Sequence, residues 1–378
     1  MDNKIVLQIS FVEDRIYVKG QVTLATPINS FQFSLNKKLS DVCVHSGKLT
    51  ATDISLPFRP PCNQYEASFN VRRNKITISF EGPINGWMSF IEDTRIAVNF
   101  YTAWYPIIDD IEFDDITVIL YGLEDYVVLN AEFDSLERTW VLSNNPDDPY
   151  NILAFRKDKN LVHENVNATA TAYYFDHSEE QAAITSVNSV EDIIKYFNNN
   201  LFSKKEFGRY LLVSFSNQDD TGGYIRGNLI VANHFESDVG SAISFIAHEI
   251  AHEWCSGADF SFEDWLNETT AEWASLLYIL EAKRDTEYFN KKIKYHKEIA
   301  EASPPIKPKN LKRPEKGVHS KGTVLLFEIY EKYGTESVKS LLRIYVNLEI
   351  KTTEEFIKQV ENYNMDIASY LVKGILLK

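Results

Sequence analysis

Cysteine is scarce in this sequence, and the few that occur lie far apart. The three are Cys43, Cys62 and Cys255, and no two of them form a Cys-x-x-Cys pair. An odd, widely spaced set of cysteines does not make a disulfide framework. Structural zinc sites usually have four protein ligands and are rich in cysteine, so that class of metal site is not expected either.

Long apolar runs and an excess of positive charge are also missing. No stretch approaches the roughly 20 apolar residues of a membrane-spanning helix, and residues 1–10 lack the apolar core of a signal peptide. The 39 Lys and Arg residues face 54 Asp and Glu residues, which gives a net charge of −15. Such a chain has little affinity for phosphate backbones. We therefore expect a cytoplasmic protein without membrane or nucleic-acid partners, of undetermined oligomeric state.

The length of 378 residues exceeds that of one ordinary core and predicts at least two domains. In residues 1–168, apolar and polar residues alternate over short stretches, as at Phe31, Phe33 and Leu35. A period of two, interrupted by turn residues, indicates half-buried strands. We therefore predict an all-β N-terminal domain over residues 1–168.

The periodicity changes in residues 169–378, where segments of strand and helix spacing follow each other. The predicted strands are Tyr210–Phe215 and Asn228–Ala232, and the predicted helices are Val190–Asn199 with Ser189 as its N-cap, Ser241–Cys255, Asn267–Lys283, Gly322–Tyr333, Thr335–Leu348 and Thr353–Tyr363. The second domain is therefore expected to be α/β at first and α-helical towards its end.

The segment from His248 to His252 has the pattern His-Glu-x-x-His. Residues four apart share one face of a helix, so both imidazoles can reach a single ion, and imidazole nitrogen is a good ligand for Zn²⁺. Glu249 lies beside the first histidine, where its carboxylate can take a proton from a water molecule at the metal. The segment therefore predicts one zinc site. A buried, hydrogen-bonded histidine pair is the alternative.

A catalytic zinc ion usually has three protein ligands and an open position for water. The best candidate for the third ligand is Glu268, on a second helical segment that follows the first after a short turn. Glu272 competes with it, because it lies one helical turn later and faces the same way. We predict that Glu268 binds the metal and that Glu272 accepts a hydrogen bond from a ligand imidazole.

The stretch from His248 to Leu277 resembles the aminopeptidase N family of gluzincins, whose catalytic domain is thermolysin-like. That family carries His-Glu-x-x-His, often with a Trp two residues later, and then Trp-Leu-Asn-Glu. Here the matching residues are those of the zinc motif, Trp254 and Trp265–Glu268. The resemblance implies a zinc metallopeptidase in which an all-β domain precedes a thermolysin-like, α/β to α-helical catalytic domain.

One spacing and one motif depart from the family pattern. Fifteen residues separate the second histidine from the proposed third ligand, three fewer than is usual in the family, which a shorter loop would accommodate. The family also binds the free amino group of its substrate with a Glu in Gly-x-Met-Glu-Asn, on an edge strand. The matching stretch here is Gly222–Ile230, and Ile225 falls at the place of that Glu. An apolar side chain cannot pair with an ammonium group, which argues against aminopeptidase specificity.

The same stretch supplies the expected contacts to the substrate. The resemblance implies that Gly223, Tyr224 and Arg226 lie beside the bound substrate. A guanidinium group in this place would favour an acidic or carboxylate-bearing substrate. An ordinary surface salt bridge is the alternative for Arg226.

A third departure concerns the Tyr that stabilises the oxyanion in the family, within Tyr-x-Lys-Gly. The matching residues here are His319–Gly322, with His319 in the place of the Tyr. An imidazole can donate a hydrogen bond to an oxyanion. His319 is therefore predicted to act in catalysis beside Glu249. The alternative is a loop histidine next to a helix start.

Together these residues predict hydrolysis of peptide bonds, with Glu249 as general base, one zinc ion as cofactor and a peptide as substrate. The strand Asn228–Ala232 is expected to pair with an extended peptide by β-addition. Two alternatives stay open: a binding protein that keeps the zinc fold without turnover, and a hydrolase of non-peptide amides or esters. Cleavage at a chain end and within a chain are equally compatible with the sequence.

Overall fold

The computed structural model describes the chain except for residues 1, 57–58, 109, 144–149, 216–221, 260, 308–316 and 378. The chain divides into two compact units, Met1–Asn160 and Leu161–Lys378. The predicted boundary, between residues 168 and 169, falls a little later. The difference arises because Leu161–Glu164 pairs as a strand with Ala170–Tyr174, so this hairpin is part of the second unit.

The described residues of the first unit form strands, turns and one short 3₁₀ helix. The strands are β1 (Lys4–Val12), β2 (Arg15–Asn36), β3 (Ser40–Val44), β4 (Lys48–Ile54), β5 (Cys62–Pro83), β6 (Phe90–Ile91), β7 (Arg95–Val98), β8 (Asp115–Tyr121), β9 (Tyr126–Val128), β10 (Glu132–Asp134), β11 (Thr139–Ser143) and β12 (Ile152–Arg156). One sheet has the order β10-β11-β8-β1-β2-β5-β3, with β4 also paired to β5, and a second has the order β6-β7-β12-β9. The β1–β8 pair is parallel. The predicted all-β character of this part of the chain is confirmed.

The alternating pattern explains why these strands form half-buried sheets. In β1, Ile5, Leu7 and Ile9 are fully buried, whereas the residues between them are partly exposed. In β2, the predicted apolar positions Phe31, Phe33 and Leu35 are buried, although Ser34 between them is buried as well. Each such apolar side chain contributes about 1.5–3 kcal/mol when it is fully buried.

The second unit begins with a five-stranded sheet in the order β13-β14-β15-β17-β16 and continues mainly as helices. Its strands are β13 (Leu161–Glu164), β14 (Ala170–Tyr174), β15 (Tyr210–Ser214), β16 (Gly223–Arg226) and β17 (Leu229–Ala232), and its helices are α1 (Glu180–Tyr196), α2 (Val239–Ala251), α3 (Trp265–Leu277), α4 (Thr286–Glu301), α5 (Val318–Tyr333), α6 (Thr335–Val346), α7 (Thr353–Tyr363) and α8 (Met365–Leu377). Short π-helical segments extend α1 and α3. Within the described residues, no helix combines the length and the apolarity needed to cross a membrane.

The sheet order corrects the predicted place of peptide addition. β17 contains most of the predicted strand Asn228–Ala232, but it pairs in parallel with β15 on one side and antiparallel with β16 on the other. A strand that is paired on both sides has no open edge for another chain. The prediction that a peptide adds to Asn228–Ala232 is therefore wrong. In the described part of the sheet, the edge strand on this side is β16.

The helix boundaries agree with the predictions to within two residues, counting the π-helical extensions, except at the end of α2 and at the start of α1 and α5. α2 ends at Ala251 rather than Cys255, so His252 is its C-cap and lies just after the helix. α1 begins ten residues before the predicted Val190, and Ser189 lies inside it, where its hydroxyl donates to Ser186 O at 2.8 Å. α5 begins at Val318 rather than Gly322, so His319 lies in the first helical turn and not in a loop. Neither α4 nor α8 was predicted.

Candidate metal centre

Helices α2 and α3 pack against each other through small side chains. The hydroxyl groups of Ser244 and Ser275 lie 3.0 Å apart, and Ser275 Oγ also donates to Ser244 O at 2.8 Å. Both serines are buried. Small residues let the two backbones approach closely, which brings the C-terminal end of α2 next to the N-terminal end of α3.

The connection between the two helices is fixed by Asn267. Its side-chain oxygen accepts from Ala258 N at 3.1 Å, and its Nδ2 donates to Ala258 O at 3.0 Å and to Asp264 Oδ1 at 2.9 Å. Asn267 is buried, so these bonds are shielded from water. They hold the short loop against the first turn of α3, which is the turn that carries Glu268.

Three side chains that could bind a metal ion meet where the C-terminal end of α2 faces the N-terminal end of α3. His248 Nε2 and His252 Nε2 lie 3.2 Å apart. Glu268 Oε2 lies 3.4 Å from the first nitrogen, and Glu268 Oε1 lies 3.6 Å from the second. Ligands about 2.0–2.1 Å from a tetrahedral zinc ion are roughly 3.3 Å apart. The donor set therefore fits one zinc ion, and it is the one group of three His, Cys, Asp or Glu residues that converges in this way within the described chain.

Glu272 lies behind His248, on the other side of the ring from Glu268. Its Oε2 accepts a hydrogen bond from His248 Nδ1 at 2.9 Å, and its Oε1 accepts one from His296 Nε2 at 2.9 Å. Lys292 Nζ lies 3.7 Å from the same Oε1. Burial raises the pKa of Glu272, but Lys292 and the two histidines outweigh burial and hold the pKa well below its usual value. The carboxylate orients His248 so that Nε2 faces the metal position.

Sequence reasoning missed Lys292 and His296, because it did not predict α4. The helix is rich in charged residues, but it has an N-cap at Asp285, whose side chain accepts from Tyr288 N. Lys292 and His296 are four residues apart and therefore share one helix face. Ser320, in the first turns of α5, completes the chain of contacts with its hydroxyl 3.0 Å from His296 Nδ1.

Glu249 is buried at the same end of α2, with 6% of its surface exposed. Burial raises the pKa of Glu249 to about 7, although the positive charges of His248 and Arg226 lower it. A carboxyl group that titrates near neutral pH can both accept and return a proton.

His319 reaches the same cluster from α5. Its Nε2 lies 3.5 Å from Asp264 Oδ2 and its Nδ1 lies 3.8 Å from Glu268 Oε2, while 49% of the side chain is exposed. Burial lowers the pKa of His319, but Asp264 and Glu268 outweigh burial and the net pKa is raised. A larger fraction of this imidazole is therefore protonated near neutral pH.

The three residues predicted to contact the substrate all lie on β16. Gly223 packs with its α-carbon against α2, and Tyr224 is buried, with 3% of its surface exposed. Arg226 ends the strand and is half-buried. Within the described residues, β16 is an edge strand of this sheet.

Comparisons with known proteins show similarity in structure but not in sequence. No protein-family model and no functionally curated protein matches the sequence. Native yeast LTA4 hydrolase has a TM-score of 0.69 at 15% identity, over 100% of this chain and 68% of that one. An M1 zinc metallopeptidase from Deinococcus radiodurans has a TM-score of 0.63 at 11% identity, over 99% and 94% of the chains, and an aminopeptidase N family protein from Idiomarina loihiensis has 0.69 at 11%, over 98% and 76%.

The chain has the fold of the M1 zinc metallopeptidases. The predicted resemblance to the aminopeptidase N family is thus confirmed at the level of the fold, over nearly the whole chain. The match extends over about two thirds of the yeast proteins but over 94% of the Deinococcus one. The M1 fold therefore includes both units of this chain, the strand-rich one and the one that carries the candidate metal centre.

Proposed function

We propose that the protein is a zinc-dependent hydrolase that cleaves peptide bonds, with His248, His252 and Glu268 as its metal ligands. The observation that carries the proposal is the 3.2–3.6 Å spacing of the three donors, next to a buried Glu249. A zinc ion bound there would polarise a substrate carbonyl group and lower the pKa of water. The other parts of the reaction are assigned to side chains of the protein.

Glu249 acts as general base and then as general acid. It takes a proton from the attacking water molecule and returns it to the nitrogen of the leaving amine. The burial of Glu249 supports both roles, because it raises the pKa and makes the carboxylate a better proton acceptor than an exposed one. Its burial also keeps bulk water away from the transferred proton.

His319 donates a hydrogen bond to the oxyanion that forms on the substrate carbonyl oxygen. The raised pKa of His319 supports this role, since a protonated imidazole also contributes a positive charge. Its ion pairs with Asp264 and Glu268 fix the ring beside the proposed ligands. The half-exposed side chain is accessible to a substrate.

The substrate lies along β16, as an extended peptide that adds to the sheet edge. Main-chain hydrogen bonds would hold it with little dependence on sequence. Among proteins of similar fold, a mutant of the Deinococcus radiodurans metallopeptidase was crystallised with a Tyr-Ser-Ala substrate, and yeast LTA4 hydrolase with bestatin. These complexes support a peptide as the substrate class.

The test combines metal analysis with a peptide library. The purified protein is expected to contain one equivalent of zinc and to cleave members of a mixed library, and chelation should stop the cleavage. Glu249→Gln should keep the zinc and lower turnover by at least about 10²–10⁴-fold. Glu287→Gln, the same substitution on the exposed face of α4, is the control and should change neither.

The failures of this test are informative. Turnover by Glu249→Gln at the normal rate would refute its role as general base. Zinc with no cleavage of any peptide would refute the peptidase. That result would favour either a binding protein or a hydrolase of non-peptide amides or esters. A panel of such amides and esters distinguishes these two alternatives.

A further inference from the structure

Helix α5 carries a glycine where it packs against α3. Gly322 is buried, and its backbone is helical rather than left-handed, so no unusual backbone angle requires a glycine there. Glycine is among the least favourable residues in the interior of a helix. A Cβ atom added to Gly322 would collide with Thr269 Oγ1 and would lie 3.0 Å from Trp265 Cε3. The absence of a side chain therefore lets α5 lie directly against α3.

Thr269 has little freedom to make room for a side chain at position 322. It is 1% exposed, and its Cβ atom would lie 3.1 Å from the added atom. A β-branched side chain has few allowed rotamers in a helix. Within the described residues, Thr269 Oγ1 has no hydrogen-bond partner, so it meets Gly322 by contact alone. A side chain at position 322 would therefore move α5 away from α3.

His319 lies one helical turn before Gly322. Residues three apart share one face of a helix, so both residues face α3. Gly322 contacts Thr269, and His319 Nδ1 lies 3.8 Å from an oxygen of Glu268, the residue immediately before Thr269. The separation of the two helices at Gly322 therefore sets the distance between the His319 imidazole and Glu268.

Two hydrogen-bonding contacts on either side of Gly322 hold α5 in place. Ser320 Oγ lies 3.0 Å from His296 Nδ1, and Trp273 Nε1 donates to Thr323 O at 3.0 Å. All four residues are buried. Because both contacts have to be kept together with the contact at Gly322, they define one position of α5 against α3 and α4.

We propose that Gly322 is a positioning residue for the reaction, which keeps α5 close enough to α3 for His319 to reach the oxyanion. This inference rests on the proposed function, in which His319 is the oxyanion donor. Gly322 touches no reacting group and acts only through the separation of the two helices. The proposed metal ligands lie on α2 and α3, so a methyl group at position 322 should impair His319 and spare the zinc.

The test compares Gly322→Ala with Gly374→Ala as zinc-loaded proteins. Gly374 is buried in α8, and a Cβ atom there would collide with Leu325 Cδ1, the end of a flexible side chain on α5. Both variants crowd α5, but only the first does so one turn from His319. Gly374→Ala is therefore the matched control for general effects of packing on this helix.

Two readouts are expected to change in Gly322→Ala and to stay constant in Gly374→Ala. In crystal structures, the separation of His319 Nδ1 and Glu268 Oε2 should increase by about 1 Å, and for a peptide that the protein cleaves kcat should fall by roughly 10–10²-fold, as is typical of such a misplacement. KM should change little, because the lost interaction forms in the transition state. Both variants should keep one equivalent of zinc.

Two double variants show whether the effect passes through Thr269 and through His319. Thr269→Ala removes the hydroxyl group that the added methyl group would meet, so Gly322→Ala combined with Thr269→Ala should recover most of kcat. In the His319→Phe background, Gly322→Ala should lower kcat no further, because the group that it displaces is already absent. If Gly322→Ala does not fold, Thr269→Ile enlarges the same contact from the α3 side and should lower kcat in the same way.

The outcomes separate this inference from the proposed function. The positioning role is overturned, and the peptidase is not, if Gly322→Ala leaves kcat and the distance unchanged. An equal loss of kcat in Gly374→Ala, or an equal further loss in the His319→Phe background, also overturns it alone. If the zinc-loaded protein cleaves no peptide, or if His319→Phe keeps the full kcat, the proposed function fails at that point and this inference fails with it.

Discussion

The two sides of the proposed metal centre are built differently. Behind His248, Glu272 is 7% exposed and contacts His248, His296 and Lys292. In front of the ligands, the side chain of His319 is 49% exposed and is held by two longer ion pairs. The rear is a closed network of buried polar groups, and the front is open.

This difference agrees with where the sequence departs from the family pattern. The departures at Ile225 and His319 are both on the proposed substrate side. The motifs that supply the proposed metal ligands keep their residues, and only the loop between them is shorter. Metal ligands must be held to within a few tenths of an ångström, and their supporting partners are costly to change. The substrate side has to match only its substrate. The rear should therefore control metal affinity and the front should control turnover and selectivity.

The largest expected effect comes from substituting Glu268, one of the proposed metal ligands. Glu268→Gln removes the negative charge and replaces a carboxylate by a poorer ligand, so zinc affinity should fall by more than the ~10–100-fold that supporting partners cause. Peptide cleavage should disappear. Competition with a chelating dye measures the affinity, and Glu287→Gln is the matched control. A variant that keeps stoichiometric, tightly bound zinc would exclude Glu268 as the third ligand.

A change at the front should reduce turnover and spare the metal. His319→Phe removes the proposed oxyanion donor, and kcat should fall by about 10²–10³-fold while the zinc content stays at one equivalent. Steady-state kinetics and metal analysis on the same preparation distinguish a loss of turnover from a loss of zinc. An unchanged kcat would mean that His319 has only a structural role in the first turn of α5.

A change at the rear should give the converse result. Glu272→Gln removes the anion that links His248 to His296 and Lys292, and zinc affinity should fall by about 10–100-fold. When the variant is saturated with zinc, kcat should recover most of its value, since no group that touches the substrate is lost. Zinc affinity equal to that of the unchanged protein would contradict the supporting role of Glu272.

The smallest expected effect concerns the anchor of the segment before α3. Glu263 accepts hydrogen bonds from Thr353 N at 2.6 Å and from Thr353 Oγ1 at 2.5 Å, and it also pairs with Lys307. Burial raises the pKa of Glu263, but the bonds from Lys307 and Thr353 outweigh burial, and the net pKa lies below its usual value of 4.5. Glu263→Gln should lower the free energy of unfolding by roughly 1.5–3 kcal/mol at neutral pH.

The pH dependence of this effect has a definite sign. Because the folded pKa of Glu263 is depressed, its stabilisation is fully present above the unfolded value and is lost as the pH falls through the folded pKa. The difference between the two proteins in urea unfolding should therefore shrink below pH 4.5. Glu301→Gln, at an exposed position on α4, should show no such trend. A difference that stays constant with pH would exclude the ionised carboxylate as its source.

Sequence reasoning worked best where the controlling interactions are local. The burial of Phe31, Phe33 and Leu35 and the bounds of α7 follow from residues close together in the chain, and the structure agrees with both predictions. It did worse at the start of α1, where the segment Glu180–Ser189 is a mixture of small, polar and apolar residues. Helix α4 was missed for a related reason, since its burial face of Phe289, Ile293 and His296 is diluted by charge.

The His-Glu-x-x-His motif by itself determined that two imidazoles and a carboxylate share one end of a helix, because the helical repeat fixes their spacing. Only the tertiary structure decided what surrounds them. Glu268 and Glu272 are one turn apart and look equivalent in sequence, yet the packing of α3 on α2 turns the first towards both Nε2 atoms and the second towards His248 Nδ1. The tertiary structure also decided that β16 rather than β17 is the edge strand of the described sheet. Strand order depends on contacts between residues distant in the chain.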